Sequence, residues 1–153
     1  MRQALQLTQH TLLYAIAVLA AVWWQPTFLE YRVLPDLGVD INVWLDGFVR
    51  ASLIGLGASG ILAIAWYALG EWIAPVTEWT SAGKRGSWLF FLACATLTAA
   101  YAAFMVPTAL EGSALARGFI VLTTILPFYL STALVGPDSY KYSPLGASLL
   151  RHW

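Results

Sequence analysis

Long uncharged stretches, separated by short charged segments, constrain this chain more than any other feature of its sequence. No Asp, Glu, Lys or Arg occurs within residues 3–29, 51–70, 86–110 and 118–137. A helix needs about 20 mostly apolar residues to cross the hydrocarbon core of a bilayer. Only 10% of the side chains are charged, whereas soluble domains carry about 25%. The sequence therefore predicts an all-α integral membrane protein with four transmembrane helices.

The predicted helices form one transmembrane domain, residues 1–153, without a soluble appendage. Short connections between long helices make neighbouring helices run in opposite directions. We therefore expect an antiparallel up-down bundle. The predicted segments are spans at about 8–28, 43–73, 88–106 and 115–135, and a C-terminal tail on the membrane surface, 137–153.

The distribution of Lys and Arg predicts the orientation of the bundle. Basic residues favour the cytoplasmic side of a membrane. With the N-terminus in the cytoplasm, the cytoplasmic side holds five basic residues, namely Arg2, Lys84, Arg85, Lys141 and Arg151. The other side holds three, namely Arg32, Arg50 and Arg117. Both termini are therefore expected in the cytoplasm, and a bacterial-type inner membrane is the expected location.

Small residues recur every four positions in two of the predicted spans. The first stripe consists of Ala51, Gly55, Ser59 and Ala63, and the second of Ala95, Ala99 and Ala103. Such stripes let helix backbones approach closely in lipid. We expect the two stripes to pack together, or one of them to meet another protein. The sequence Gly55–Gly60 also matches the dinucleotide pattern G-x-G-x-x-G, but that motif requires a preceding strand in a soluble sheet.

Two charged residues, Asp46 and Arg50, lie one helical turn apart at the start of the second span. Side chains four residues apart share a helix face and can pair. We interpret them as an interfacial ion pair that stabilises the start of the helix. The alternative is a charged gate at the mouth of the bundle, since charges at membrane depth are often functional.

Pro127 interrupts the fourth span. A proline inside a helix removes one backbone hydrogen bond and crowds the preceding turn. The hydroxyls of Thr123 and Thr124 can satisfy the freed carbonyls. We interpret this segment as a fixed bend that fits a neighbouring helix, with a hinge or a small-ligand pocket as the alternative.

The sequence predicts no intrinsic cofactor and no metal site. Bis-histidine haem ligation within the membrane is not expected, because only His10 lies in a predicted span and the other histidine, His152, lies in the tail. A single-ligand chlorin site at His10 is the alternative. Contact with a lipid, a quinone or a pigment remains open, since Trp66, Tyr67 and Tyr101 fall away from the predicted span ends. Nucleic acid is not an expected partner, because the basic residues form no cluster.

Three functional hypotheses follow. The first is a non-catalytic integral membrane subunit of a larger respiratory, photosynthetic or transport complex, with other membrane subunits and lipids as partners. Its expected partner contacts are Gly55, Ser59, Leu37, Val39, Leu149 and Trp153. The second is a small homo-oligomeric channel or transporter built on the first stripe. The third is a membrane enzyme acting on a lipid or quinone, with Glu71 or Asp46 as acid or base; we expect no catalytic residues otherwise.

Overall fold

A computed structural model describes residues 2–32, 40–73, 80–106 and 113–135, together with Pro144. Within these ranges the chain forms helices and no strand. The α-helices are α1 (Arg2–Leu19), α2 (Gln25–Arg32), α3 (Ile41–Ala68), α4 (Ser81–Phe104) and α5 (Ser113–Val135). The predicted contact residues Leu37, Val39, Leu149 and Trp153, and the predicted tail except Pro144, lie outside the described residues.

Four helical segments are long and apolar enough to cross a membrane. They are Leu5–Tyr31, Ile41–Ile73, Ser81–Phe104 and Ser113–Val135. The chain is thus helical throughout its described part, and its character is that of an integral membrane protein. Half of the most apolar window in the last segment is buried within the molecule, against 22% in the first. Helix α5 is therefore the centre of the bundle, and it packs against α1, α3 and α4.

The first segment is longer than the hydropathy pattern predicts, because the chain continues through Pro26 to Arg32 in helical conformation. Between α1 and α2 lies one π-helical turn, Ala20–Trp24, closed by the Gln25 N–H donating to the Ala20 carbonyl. A proline ring crowds the carbonyl four residues before it, and a π turn widens the helix at that place. The turn inserts one residue, which rotates the following residues by about 100° around the axis.

Side-chain caps define where two of the helices begin. The Asp40 Oδ1 atom accepts hydrogen bonds from the N–H groups of Asn42 (3.1 Å) and Val43 (3.4 Å) at the start of α3. The Thr80 Oγ1 atom accepts from Gly83 N–H at 3.2 Å and starts α4. These caps satisfy backbone donors that a helix leaves free at its N-terminus. They explain why α4 begins several residues before the predicted span.

Both small-residue stripes face the interior of the molecule. Every member is buried, namely Ala51, Gly55, Ser59 and Ala63 on α3 and Ala95, Ala99 and Ala103 on α4. Ala63 and Ala95 share a buried cluster with Phe128 of α5. Ala51 and Ala103 share a second cluster with Ile120. The small side chains therefore bring α3, α4 and α5 close together within one chain.

Gly55 lies where the three helices pack tightly against one another. A Cβ atom built there would overlap Thr124 Oγ1 of α5 and would lie 3.5 Å from Ala102 Cβ of α4. Gly57, two residues later, has no atom within 4 Å of the corresponding position. The two glycines therefore have different roles: Gly55 permits close packing inside the bundle, whereas Gly57 leaves open space on its outside.

Replacing Gly55 with Ala should destabilise the protein by about 1–3 kcal/mol, because the added methyl overpacks the contact with Thr124. Gly57→Ala is the matched control and should be neutral or stabilising by up to about 1 kcal/mol, since alanine favours helix over glycine. Thermal unfolding of both variants in detergent, followed by circular dichroism, measures the difference. Equal effects of the two substitutions would contradict the proposed close contact.

Candidate functional site

A chain of polar contacts joins three helices in the middle of the bundle. The Ser59 hydroxyl of α3 donates to the Thr124 carbonyl of α5 at 2.9 Å. The Tyr14 hydroxyl of α1 lies 2.9 Å from Ser59 Oγ. Because Ser59 has a single hydroxyl hydrogen and gives it to the carbonyl, Tyr14 is the donor in this pair. This chain fixes the relative position of α1, α3 and α5.

A second buried contact joins α4 to α5. The indole N–H of Trp88 donates to Thr132 Oγ1 at 3.0 Å, and both side chains are buried. The Thr132 hydroxyl in turn lies 2.9 Å from the Phe128 carbonyl. Such interhelical hydrogen bonds fix the register of helices that lipid alone would not orient.

Pro127 makes the hydrogen bonding of the preceding helical turn irregular. Having no N–H, it cannot donate to the Thr123 carbonyl, as a residue at that position of a helix normally does. The Thr123 hydroxyl is instead directed to the Phe119 carbonyl, at 2.6 Å. The buried Thr124 Oγ1 has no hydrogen-bond partner in the described structure. The Thr123 hydroxyl thus bonds the Phe119 carbonyl and not the carbonyl that Pro127 leaves free, which is that of Thr123 itself.

An apolar groove of about 560 Å³ runs between α1 and α3 and opens to the outside of the bundle. We call it the α1–α3 groove. Its walls carry mostly aliphatic side chains and glycine, among them Leu7, Val18, Leu53, Gly57, Ile61 and Ile64. The open space beside Gly57 belongs to this groove. Gly57 is a lining residue, and no atom of another helix lies within 4 Å of the position that its Cβ would take.

Polar side chains line the α1–α3 groove beside its aliphatic wall. The rings of His10 and Tyr67 meet edge to face, with their centroids 5.7 Å apart. Tyr67 donates its hydroxyl hydrogen to Gln6 Oε1 at 2.8 Å. The buried His10 Nε2 has no hydrogen-bond partner within the described ranges. The groove therefore combines a long apolar wall with a small polar patch.

A smaller groove of about 270 Å³ lies between α1, the π turn and α5. We call it the α1–α5 groove, and Ala17, Trp24, Gln25, Leu126, Pro127 and Leu130 are among its lining residues. Gln25 is only 4% exposed, and its Nε2 atom donates to Thr123 Oγ1 at 2.7 Å. The Gln25 Oε1 atom is buried and has no partner in the part of the chain described.

The charged pair predicted at the start of the second span lies on the surface. Arg50 Nη2 is 2.7 Å from Asp46 Oδ2, and the two side chains are 76% and 59% exposed. They therefore do not line the interior of the bundle formed by this chain. The geometry favours an interfacial pair over a gate.

The remaining candidate residues are dispersed over the structure. Glu71 lies in a second π-helical turn, Leu69–Ile73, at the end of α3. Cys94 is a free, half-buried cysteine of α4. Among the described residues, no three His, Cys, Asp or Glu side chains come close enough to hold a metal ion. Sequence reasoning missed Gln25, although the Gln25-Pro26 pair within an apolar run was a usable signal.

Comparison with protein families, with curated proteins and with solved structures finds no match to this chain. Its function is therefore inferred from the geometry of the two grooves and of the buried polar contacts.

The contact between Tyr14 and Ser59 should appear as an energetic coupling. A double-mutant cycle of Tyr14→Phe and Ser59→Ala should give about 0.6 kcal/mol, the usual size of a hydrogen bond between membrane helices. Thr11→Val combined with Ser59→Ala is the control, because the Thr11 hydroxyl donates to the Leu7 carbonyl of its own helix, and that pair should be additive. Unfolding in mixed detergent measures the four free energies; a coupling of zero for Tyr14 and Ser59 would refute the contact.

Removing the surface ion pair should change stability very little. Exposed pairs one turn apart on a helix contribute about 0.3–0.5 kcal/mol, so the double variant Asp46→Asn, Arg50→Gln should unfold within about 0.5 kcal/mol of the wild type. The same unfolding assay measures it, at low and at high salt. A loss above about 2 kcal/mol would contradict the exposed position of the pair.

Proposed function

We propose that this chain is a non-catalytic integral membrane subunit of a larger complex, with a respiratory, photosynthetic or transport assembly as the class of partner. The observation that supports it most is the α1–α3 groove, which faces outward and is lined by aliphatic side chains around the open position at Gly57. A transmembrane helix of a partner subunit is the occupant that fits this shape.

The fit rests on how helices associate in lipid. Since lipid tails are as apolar as leucine, association depends on close packing, which glycine at the contact allows. Gly57 is exposed, and the helix face around it carries Leu53, Ile61 and Ile64, which are also exposed. This face can therefore receive the side chains of a second helix without any rearrangement of α3.

We further propose that the helices form an antiparallel up-down bundle. The pairing of Gln6 with Tyr67 and of Tyr14 with Ser59 supports opposite directions for α1 and α3, since residue numbers rise on one helix as they fall on the other. For α4 and α5, the contact of Trp88 with Thr132 and that of the Val106 carbonyl with Arg117 give the same support.

The basic residues favour cytoplasmic termini, and we propose a bacterial-type inner membrane as the location. On this orientation, the exposed pair Asp46–Arg50 belongs to the outer surface of the membrane, since α3 begins there. The orientation follows from the charge distribution of the sequence, and the side on which the pair lies follows from the helix order.

A homo-oligomeric channel is less well supported than a subunit. That hypothesis uses the first small-residue stripe to build the oligomer, yet Gly55 and Ser59 are buried against α5 within the same chain. Asp46 and Arg50 are exposed on the outside of the bundle. For the enzyme hypothesis, Asp46 is paired with Arg50 on the surface, and Glu71 lies in the π turn at the end of α3; neither residue lines one of the two grooves described above.

A large side chain at position 57 should fill the α1–α3 groove, so the partner should no longer bind while this chain stays folded. Gly57→Leu puts a side chain into open space, so it should not destabilise the isolated protein. It should reduce recovery of the complex by about tenfold, which corresponds to about 1.4 kcal/mol of packing energy. Gly47→Leu is the matched control, because Gly47 lies on the same helix, also has free space, and does not line the groove.

Native mass spectrometry after mild detergent extraction from the source membrane measures the outcome. Wild type and Gly47→Leu should yield a hetero-oligomer of fixed stoichiometry, whereas Gly57→Leu should yield the lone chain. If the wild-type chain emerges as a monomer or a homo-oligomer, the subunit hypothesis is wrong.

A further inference from the structure

Gln25, a lining residue of the α1–α5 groove, carries a buried hydrogen-bond acceptor within a helical segment long and apolar enough to cross a membrane. Gln25 lines this groove and is 4% exposed. Its Oε1 atom is buried without a partner in the described residues. In hydrocarbon no bulk water is present to satisfy such a group, and leaving it unpaired is costly. A molecule that donates a hydrogen bond would remove that cost.

The chemistry of Thr123 determines which end of the Gln25 amide is free. The Thr123 hydroxyl has one hydrogen, and its 2.6 Å contact with the Phe119 carbonyl uses it, because a carbonyl can only accept. Thr123 Oγ1 must therefore accept from Gln25, and only the amide N–H₂ can donate that bond. The free end is the amide oxygen, so the site requires a donor from its occupant.

The rest of the groove indicates an aromatic, largely apolar occupant. Trp24 lines it and belongs to an aromatic cluster, with ring centroids 6.0 Å from both Phe28 and Phe119. Aromatic rings pack favourably at such distances in stacked or tilted geometry. The other walls are aliphatic, apart from Thr123, and the volume of about 270 Å³ accommodates one substituted ring. The groove is open, so an apolar tail can extend into the lipid.

The backbone at this groove is irregular on both sides. The π turn Ala20–Trp24 ends immediately before Gln25, and π turns frequently occur at functional sites in helices. Across the groove, Pro127 leaves the Thr123 carbonyl without its normal helical donor. Two helices thus depart from regular geometry at the same place, which is where Gln25 lies.

From these observations we propose that the α1–α5 groove binds a hydroquinone, an aromatic ring with hydroxyl donors and an apolar tail, with one hydroxyl donating to Gln25 Oε1. The oxidised quinone has carbonyl oxygens only and cannot supply this bond. The site therefore distinguishes the reduced from the oxidised form of one ligand. It is separate from the α1–α3 groove, so it stands whether or not a partner helix occupies that groove.

Calorimetric titration of the full chain in detergent, under anaerobic conditions, tests the proposal. The probes are a benzohydroquinone with one decyl chain and its oxidised benzoquinone. A single buried hydrogen bond predicts that the hydroquinone binds about fivefold more tightly than the quinone. Equal affinities, or no binding of either form, would overturn the proposal.

Three variants connect the preference to Gln25. Gln25→Met keeps the length of the side chain and removes the acceptor, so both redox forms should bind equally. Ala17→Phe keeps Gln25 and fills the groove, so binding of both forms should be lost even if Gln25→Met proves unstable. Gln6→Met is the matched control on α1, outside this groove, and should retain the fivefold preference. A preference that survives Gln25→Met, or binding that survives Ala17→Phe, would contradict the assigned site.

Discussion

The close approach of α3 to α5 at Gly55 and Thr124 determines most of the geometry described above. Because a Cβ atom at residue 55 would overlap Thr124 Oγ1, the backbones can be this near only with glycine there. That proximity brings Ser59, one turn further along α3, to the Thr124 carbonyl. Tyr14 then joins α1 to the same point. Since apolar surfaces give no net drive for association within lipid, these contacts must supply much of it.

The interior and the exterior of the bundle use small residues in different ways. The buried stripes on α3 and α4 allow packing within the chain, with Ala63 against Ala95 as an example. Gly57 lies on the outer side of α3 and lines an open groove. The small residues of α3 thus lie on two faces of the helix. One face packs within the chain, and the other is available to a partner. This separation is the basis of the proposed subunit function.

The sequence predicted the broad fold because the hydropathy and charge of a segment determine whether it can lie within lipid. It identified the four spans and the members of both stripes, whose inward direction the structure then shows. It placed the end of the first span near Pro26, where the structure has a π turn and a continued helix. Proline normally ends a helix in water, whereas neighbouring helices allow the chain to continue in a membrane.

The candidate sites could not be predicted to the same degree, because both depend on contacts between distant residues. Gln25 and Thr123 are far apart in sequence, and only the packing of α1 against α5 makes one amide oxygen an unpaired acceptor. Similarly, the stripe spacing identified Gly55 as a packing residue, but it could not show that Gly57 lines an open groove. The pairing of Asp46 with Arg50 was accessible from sequence, since both lie on one helix face, but their exposure on the outside was not.

Cysteine cross-linking can show whether the small-residue faces of α3 and α4 are closed within one chain. The Cβ position of residue 55 lies 3.5 Å from Ala102 Cβ, a separation compatible with a disulfide. The test protein carries Gly55→Cys and Ala102→Cys, with Thr124→Ala to remove the overlapping hydroxyl and Cys94→Ala to remove the native thiol. After treatment of native membranes with a membrane-permeant oxidant, our account predicts an intramolecular disulfide in a chain of monomer mass. Cross-linked dimers as the main product would contradict it, because the stripe would then face a second copy.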